Sequence, residues 1–542
     1  MTDALSSWVG IGNEAHLALT VAGDAAIAAR TLVPSLVADK VASRIAAKDY
    51  TLWGKDAEAE SQIRLGWTNL HDTSRSILDQ LSTLYGELQA EGKSRVVLAG
   101  MGGSSLGPEV ICATYGVPLV TLDSTDPDQV RDAMGTDLAH TVVVVSSKSG
   151  GTIETDSARR AFEAAFEGEG LDPRQHIVIV TDPDSPLHQQ SVKAGYRAVF
   201  LADPNVGGRF SVLSAFGLVP SALAGVPVVE LLDEAAAIAD SLAEDDESNP
   251  ALVLGAAMAG STRNKLVISD HDSGLVGFGD WAEQLIAEST GKNGVGVLPV
   301  VAEPNAPDSR SHDVIDTRLV ALDSDDDAEG HAINSAGTLG AQFLLWEYAT
   351  AVAGRIMGIS PFDQPNVESA KNAARALLDD LPEPEQPAFV DDGIEVLATD
   401  GLLDGIDTVE GAIGALLREL GDRGYLAVMV YLNREAYPGL AKIRGPLAAR
   451  AGRPTTFGWG PRFLHSTGQL HKGGVPEGVF LQVTGAFADD MDIPERPFSF
   501  GTLIAAQAAG DARVLADHGR PVLRINLTEA AHVARLTALL EG

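Results

Sequence analysis

The 542-residue chain carries 75 acidic against 39 basic side chains, a formal net charge of −36, which excludes a nucleic-acid binder and confines any anion site to locally gathered cations and amides. With 45% hydrophobic and 21% charged residues it has the balance of a globular protein, and its length calls for more than one core. The single cysteine, Cys112, allows no internal disulfide, MTDALSSWVGIGNEAHLALT lacks a secretory leader pattern, and no apolar run reaches the ~20 residues of a membrane span, so a cytoplasmic protein is expected.

Residues 1–74 read as a helical N-terminal segment without recognisable chemistry. From 75 the pattern alternates: RVVLAG, VPLVTLDS, HTVVVVSS, HIVIVTD and YRAVFLAD are short apolar runs separated by stretches of helical period such as DSARRAFEAAFEG. Strands alternating with helices imply a parallel sheet covered on both faces, and residues 75–245 form the first such α/β module. A second alternating region, 246–542, offers KLVIS, RLVALD, YLAVMVYL, GVFLQVTG and RPVLRINL as strands and is read as one further module with a C-terminal extension. The acidic DDLPEPEQP, Asp379–Pro387, has the composition of a surface linker.

The first strand runs into VLAGMGGSSLGPEV. A dinucleotide fingerprint needs a third glycine where Ser105 stands, although Asp123 at the end of the next strand has the position of a ribose-binding acid. A nucleoside-triphosphate loop fails for want of Gly-Lys-Ser/Thr. Free amides, a helix N-terminus and the hydroxyls of Ser104 and Ser105 suit a phosphomonoester, or a turn that holds nothing. A second turn, VVVVSSKSGGTIET, weighs toward the ligand. Ser147, Lys148, Ser149 and Thr152 follow another strand of the same sheet, and ligands in such sheets sit beyond the carboxyl ends of the strands.

The ordered segments GMGGSSLGP, SSKSGGTIET, VGGRFSVLSAFGL, EQLIAESTGK and PFDQPNVESAK resemble the signatures of the phosphoglucose isomerase family. The chain is similar in particular to the isomerase part of actinobacterial fusions with transaldolase. The resemblance implies two sugar-isomerase (SIS) modules with flavodoxin-like sheets, and interconversion of glucose 6-phosphate and fructose 6-phosphate through an enediol. That chemistry needs a base, a cation near the developing oxyanion and an acid for the ring oxygen.

The residues divide among these roles as follows. Gln284 and Glu288 stand four apart on one helix face, and the resemblance gives Glu288 the proton shuttle and Gln284 a substrate contact. Arg209, after two glycines, would steady the enediolate, while Gly103 would border the substrate. Gln364 and Lys371, seven apart, share a helix face and by resemblance reach the ring end of the sugar. The family's histidine normally falls between the glutamate and lysine motifs, where this sequence has His312 and His331 in unlike settings. RFLHSTGQLHKGG matches the histidine segment of some bacterial members but follows Lys371, so His465 is the expected ring-opening residue, with His471 as runner-up and a reordered connection implied. In the family the partner subunit delivers this histidine, implying a homodimer whose site is completed across the interface. No acids accompany His465 and His471 at metal-ligand spacing, and enediol chemistry on a glutamate base requires neither metal nor organic cofactor, so none is expected. Two other readings share these motifs: additional action on mannose 6-phosphate, and a phosphosugar-binding regulator without catalysis.

Overall fold

The protein is described by a computed structural model covering residues 4–10, 16–324, 328, 330–379, 385–487 and 489–542; most of the acidic Asp379–Pro387 stretch lies outside the described residues. The first sheet is parallel and takes its strands in the order Val120–Leu122, Arg95–Gly100, Thr141–Ser146, Ile177–Thr181, Ala198–Leu201. Continuous valine-rich runs form its centre because helices bury both faces: Thr141–Ser146 and Ile177–Thr181 are buried along their whole length. Strand order reverses between Arg95–Gly100 and Thr141–Ser146, and the two glycine–serine turns leave the carboxyl ends of these two strands. A doubly wound sheet opens its ligand crevice at that point.

The α/β class with parallel sheets holds throughout. The strands of the second alternating region, however, divide between two sheets, so the described residues form three such units. One sheet runs Leu5–Val9, Leu17–Val21, Ala332–Gly337, Val314–Val320, Lys265–His271, Leu298–Ala302. The other runs Phe389–Asp391, Ile394–Ala398, Val522–Leu527, Gly478–Gly485, Tyr425–Tyr431, Thr455–Trp459. Both have the same topology: four parallel strands ordered 2-1-3-4, closed at one edge by an antiparallel hairpin. Strand periodicity reveals that strands exist, and nothing in it says which sheet each joins.

The N-terminal segment also differs from the all-helical expectation. Leu5–Val9 and Leu17–Val21 form the edge hairpin of the second sheet, pairing Val21 with Ile333, before the helix Gly23–Ala38 begins. Two five-residue strands gain their stability from a partner distant in sequence, a tertiary effect that overrides local preference.

The third unit is locked onto the others by apolar packing. Val267, Val300 and Val314 of the second sheet share a core with Tyr425, Met429 and Phe480 of the third. Phe500 and Leu503, on the helix Phe500–Asp517, are fully buried in a core with Val97, Val143 and Ile179 of the first sheet. Removing two such side chains from water stabilises this docking by about 3–6 kcal/mol before entropy is counted. Among the described residues no helix is long and apolar enough to cross a membrane.

Candidate active site

The turn after the first strand approaches the rest of the site so closely that only glycine fits. Gly102 has φ +57°, and a Cβ there would lie 2.8 Å from Gln284 Nε2 and 3.0 Å from His465 Cβ. A Cβ on Gly103 would lie 2.0 Å from the Gly208 carbonyl oxygen. The GMGGSS turn is therefore wedged between the VGGRFS turn, the helix of Gln284 and the segment of His465. These are the elements that the sequence motifs nominate.

Glu288 lies in the last turn of the helix Phe278–Thr290, which is buried along most of its length. Its Oε1 lies 3.1 Å from Arg209 Nη1, and its Oε2 accepts from Gln284 Nε2 at 3.2 Å. Gln284 Nε2 also donates to the His465 carbonyl at 2.7 Å, tying the base helix to the histidine segment. Both carboxylate oxygens thus have a partner, which fixes the orientation of the group.

Arg209, 4% exposed, is more constrained than the sequence suggests. Nε donates to Ser289 Oγ at 2.8 Å, Nη1 to Gln364 Oε1 at 2.9 Å, and Nη2 to the carbonyls of Pro361 and Asp363 at 2.7 and 3.0 Å. Nη1 also forms an ion pair with Glu288 Oε1 at 3.1 Å. The charge thus sits beside Glu288 while the donors lock the loop bearing Gln364. Lys292, 1% exposed, locks the same loop through Ser360 O at 2.8 Å and Asp363 Oδ1 at 2.7 Å. Burial, then the charge of Arg209, pulls its ammonium down to about 8, against the opposing pull of Asp363. Lys292 was part of a quoted motif, yet only the structure reveals its task.

The second turn gathers hydroxyls and amides. Ser147 Oγ lies 3.3 Å from Thr152 Oγ1 and accepts from the Gly150 amide at 3.1 Å, while Ser149 Oγ accepts from the Gly151 amide at 3.1 Å. Lys148 turns out of this cluster: its Nζ pairs with Asp182 at 2.5 Å and donates to the Pro204 carbonyl at 3.1 Å. Ser104 is half-buried at the end of the Gly102–Ser104 turn, while Ser105 is consumed by Gly102 O and Asp123 Oδ2. Asp123 itself is buried against Arg462, at 3.1 Å, which removes it from ribose recognition. Lys371 lies on the helix Val367–Asp379, but its side chain falls outside the described residues.

His465 stands at the mouth of this arrangement, at the end of the short turn Arg462–His465 that follows the strand Thr455–Trp459 of the third sheet. Its Nε2 lies 3.1 Å from Glu154 Oε1. Glu154 opens the helix Ile153–Gly168, directly after the hydroxyl turn. Glu154, His465, Thr152 and Ser149 line one cavity of about 180 Å³ together with Gln507 and Arg375. Gln469 knits the base-helix end to the histidine segment by donating to Gly291 O at 2.8 Å and accepting from the Asn366 amide at 2.8 Å.

Residues 67–296 match the family model described as phosphoglucose isomerase. A probable glucose-6-phosphate isomerase of Methanococcus maripaludis is 30% identical over 364 residues, covering 55% of this chain and 82% of that protein. The glucose-6-phosphate isomerase of Geobacter sulfurreducens is 38% identical over 212 residues, covering 36% of this chain and 40% of that protein. This chain belongs to the phosphoglucose isomerase family. In fold it is similar to the glucose-6-phosphate isomerase of Chlamydia trachomatis, with a TM-score of 0.53 and 20% identity over 68% of this chain and 90% of that one. A hypothetical protein of Thermus thermophilus gives a TM-score of 0.54 and 24% identity over 65% of this chain and 96% of its own.

Within this one chain, His465 reaches Glu154 through its ring and Gln284 through its carbonyl. The reason is topological: the third unit follows the Gln364 loop and docks on the first sheet, carrying its strand ends back to the cleft. The other histidines fall away. His471 is 3% exposed in the core, without a partner on either ring nitrogen, and burial pushes it down to about 3, so it stays neutral. His312 sits exposed, 3.6 Å from Asp422, and His331 Nδ1 accepts from the Asp24 amide at 3.1 Å, both at another cavity. Glu154 was legible as an acid in the first turn of a helix beside the hydroxyls. Gln507 carried no sequence signal.

Proposed function

We infer that the chain interconverts D-glucose 6-phosphate and D-fructose 6-phosphate, an aldose–ketose isomerase reaction that passes through a cis-enediol. The single observation carrying this reading is that Gln284 Nε2 donates both to the Glu288 carboxylate and to the backbone carbonyl of His465, whose ring is backed by Glu154.

In the proposed sequence the amides and hydroxyls of Ser147, Ser149 and Thr152, with Ser104, hold the phosphate, and Gly103, Gln284 and Gln364 border the sugar. Arg375, which lines the cavity, supplies positive charge there, whereas Lys148 supports the turn from behind through Asp182. His465, oriented by Glu154, donates a proton to the ring oxygen O5 as the C1–O5 bond of glucose 6-phosphate breaks, and the O1 hydroxyl proton leaves to solvent as the aldehyde forms. Glu288 then removes the C2 proton, giving the C1=C2 enediolate with its charge on O1. The same carboxylate returns the proton to C1 while the O2 hydroxyl proton passes to O1, leaving the ketone at C2. Arg209 stabilises the charge developing beside Glu288 through its field, four of its N–H groups being hydrogen-bonded to Ser289, Gln364 and the loop carbonyls. Lys371 completes the set by family resemblance.

A coupled assay of fructose 6-phosphate conversion tests the reading, run on wild type, on Glu288→Gln and with chelator present. Activity that survives the chelator and drops by about 10²–10⁴-fold in the variant agrees with it. A wild-type chain that turns over no hexose 6-phosphate sinks it. A cytoplasmic setting, supported by the buried unpaired Cys112, and a homodimer, supported by resemblance, belong to the same proposal. The intrachain histidine favours a protomer that is competent without its neighbour, which activity measured across a dilution series beside sedimentation velocity would decide.

A further inference from the structure

The pair His465–Glu154 is completed by a residue from a different unit of the fold. Gln507, 4% exposed on the helix Phe500–Asp517, donates from Nε2 to Glu154 Oε1 at 2.7 Å, the same oxygen that faces His465 Nε2 at 3.1 Å. Its carbonyl Oε1 accepts from Thr125 Oγ1 at 2.7 Å. Thr125 is fully buried in the segment between the strand Val120–Leu122 and the helix Pro127–Met134. The Glu154 carboxylate only accepts, so the end of the amide that faces it is the NH₂, and the Thr125 hydroxyl, free to do either, donates to the carbonyl end. The amide therefore has one orientation, with its NH₂ turned to Glu154.

We propose that Gln507 is a positioning residue for ring opening, holding Glu154 so that one carboxylate oxygen stays aimed at His465. The proposal rests on the isomerase reading and assigns a task to the third unit beyond carrying the histidine. The physical argument is geometric. A carboxylate on a helix start has a nearly free terminal torsion. Here Oε1 is shared between an immobile amide and the imidazole, so rotation that broke the histidine contact would also break a bond to a buried donor. Leaving a buried donor without its acceptor is costly, and that cost keeps the carboxylate in place. The helix that bears Gln507 is itself anchored by Phe500 and Leu503 in the first sheet's core, so the whole relay Thr125–Gln507–Glu154–His465 is built on rigid elements.

Ring opening and proton transfer between C1 and C2 are separable with a substrate that has no ring. In 5-deoxy-D-fructose 6-phosphate the hydroxyl that closes the furanose is missing and O6 is esterified, so the sugar stays open. For Gln507→Leu, the turnover number on fructose 6-phosphate is expected to drop by about tenfold or more, with KM little changed. Exchange of the C1 protons of the 5-deoxy analogue with deuterated solvent should continue at the wild-type rate. Thr125→Val, which frees the amide to rotate while keeping it, should show the same selectivity at smaller amplitude. Equal loss on both substrates would mean that Gln507 serves the fold alone, and loss on neither would mean it serves nothing; either result overturns the proposal. Should the wild type act on neither sugar, the isomerase reading fails by itself. The positioning claim is then judged by the deshielded ring N–H proton signal of His465, identified by its absence in His465→Asn. That signal is expected in wild type and lost in Gln507→Leu, and its persistence in the variant rejects the claim.

Discussion

Arg209 Nη1 stands 3.1 Å from Glu288 Oε1 while the same guanidinium grips the carbonyls of Pro361 and Asp363 and the amide of Gln364. One buried cation thereby positions Glu288 and the Gln364 loop together. Arg209→Lys keeps the charge but offers a point donor in place of a planar fork, so it cannot serve Glu288, Gln364 and the two carbonyls at once. Its expected effect is a rise in KM and a fall in kcat of about 10- to 100-fold, against a larger loss in Arg209→Ala, where the Glu288 carboxylate is left without its partner. Steady-state kinetics of the two variants beside wild type check this. Lys at wild-type rates would show that the fork geometry is irrelevant.

Lys292 gives the loop a pH dependence. Its ammonium, pulled down to about 8 from an ordinary 10.5, is charged and bonded to Asp363 below that value and neutral above it. The hold on the Gln364 loop therefore weakens as pH rises through about 8, and kcat/KM should decline on that side of its profile. Lys292→Met, uncharged at all pH values, should lack this decline and start from a lower plateau. Stability moves the other way. Between 8 and 10.5 the unfolded chain keeps a proton the folded chain has released, so this group's contribution to stability increases with pH there. A pH–rate profile of wild type that stays flat beyond pH 9 contradicts the assignment.

Glu347 lies fully buried on the helix Leu339–Met357, with neither carboxylate oxygen hydrogen-bonded among the described residues, and burial holds its carboxyl well above the usual range. A raised value in the folded state means that the unfolded chain ionises first. Stability from this group is full below the ordinary carboxyl range near 4.5 and is lost progressively as pH rises. Glu347→Gln removes the titration and is expected to be more stable than wild type at pH 8 and closer to it at pH 4.5. Denaturant midpoints at the two pH values measure the difference; a gap that fails to widen with pH refutes the prediction.

Gly103→Ala tests the closeness of the two glycine turns. A methyl group 2.0 Å from the Gly208 carbonyl oxygen forces backbone to move, since the obstacle is not a flexible side-chain end. Activity is expected to fall by about 10²-fold or more through misplacement of Arg209, the next residue, with a loss of about 1–3 kcal/mol in stability. Thermal denaturation and kinetics report the two effects separately, and an alanine variant of normal activity would mean that the turns stand further apart.

The sequence by itself determined the elements that chemistry needs at short range. Valine runs that must be buried on both faces specify parallel strands, serine–glycine segments after those strands specify tight turns with inward hydroxyls and amides, and a four-residue spacing puts Gln284 and Glu288 on one helical face. These are properties of period and local backbone freedom, and they act within a few residues. Tertiary structure decided what joins what. The hairpin of residues 5–21 became an edge of a sheet whose other strands lie beyond residue 265, and the later strands split into two sheets of one topology. It also brought His465 to Glu154 inside one chain, turned Lys148 toward Asp182, and set Gln507 behind the pair. Such contacts depend on which apolar faces dock on which, Phe500 and Leu503 in the first sheet's core being the decisive case, and docking is a property of complementary surfaces far apart in sequence that no local pattern encodes.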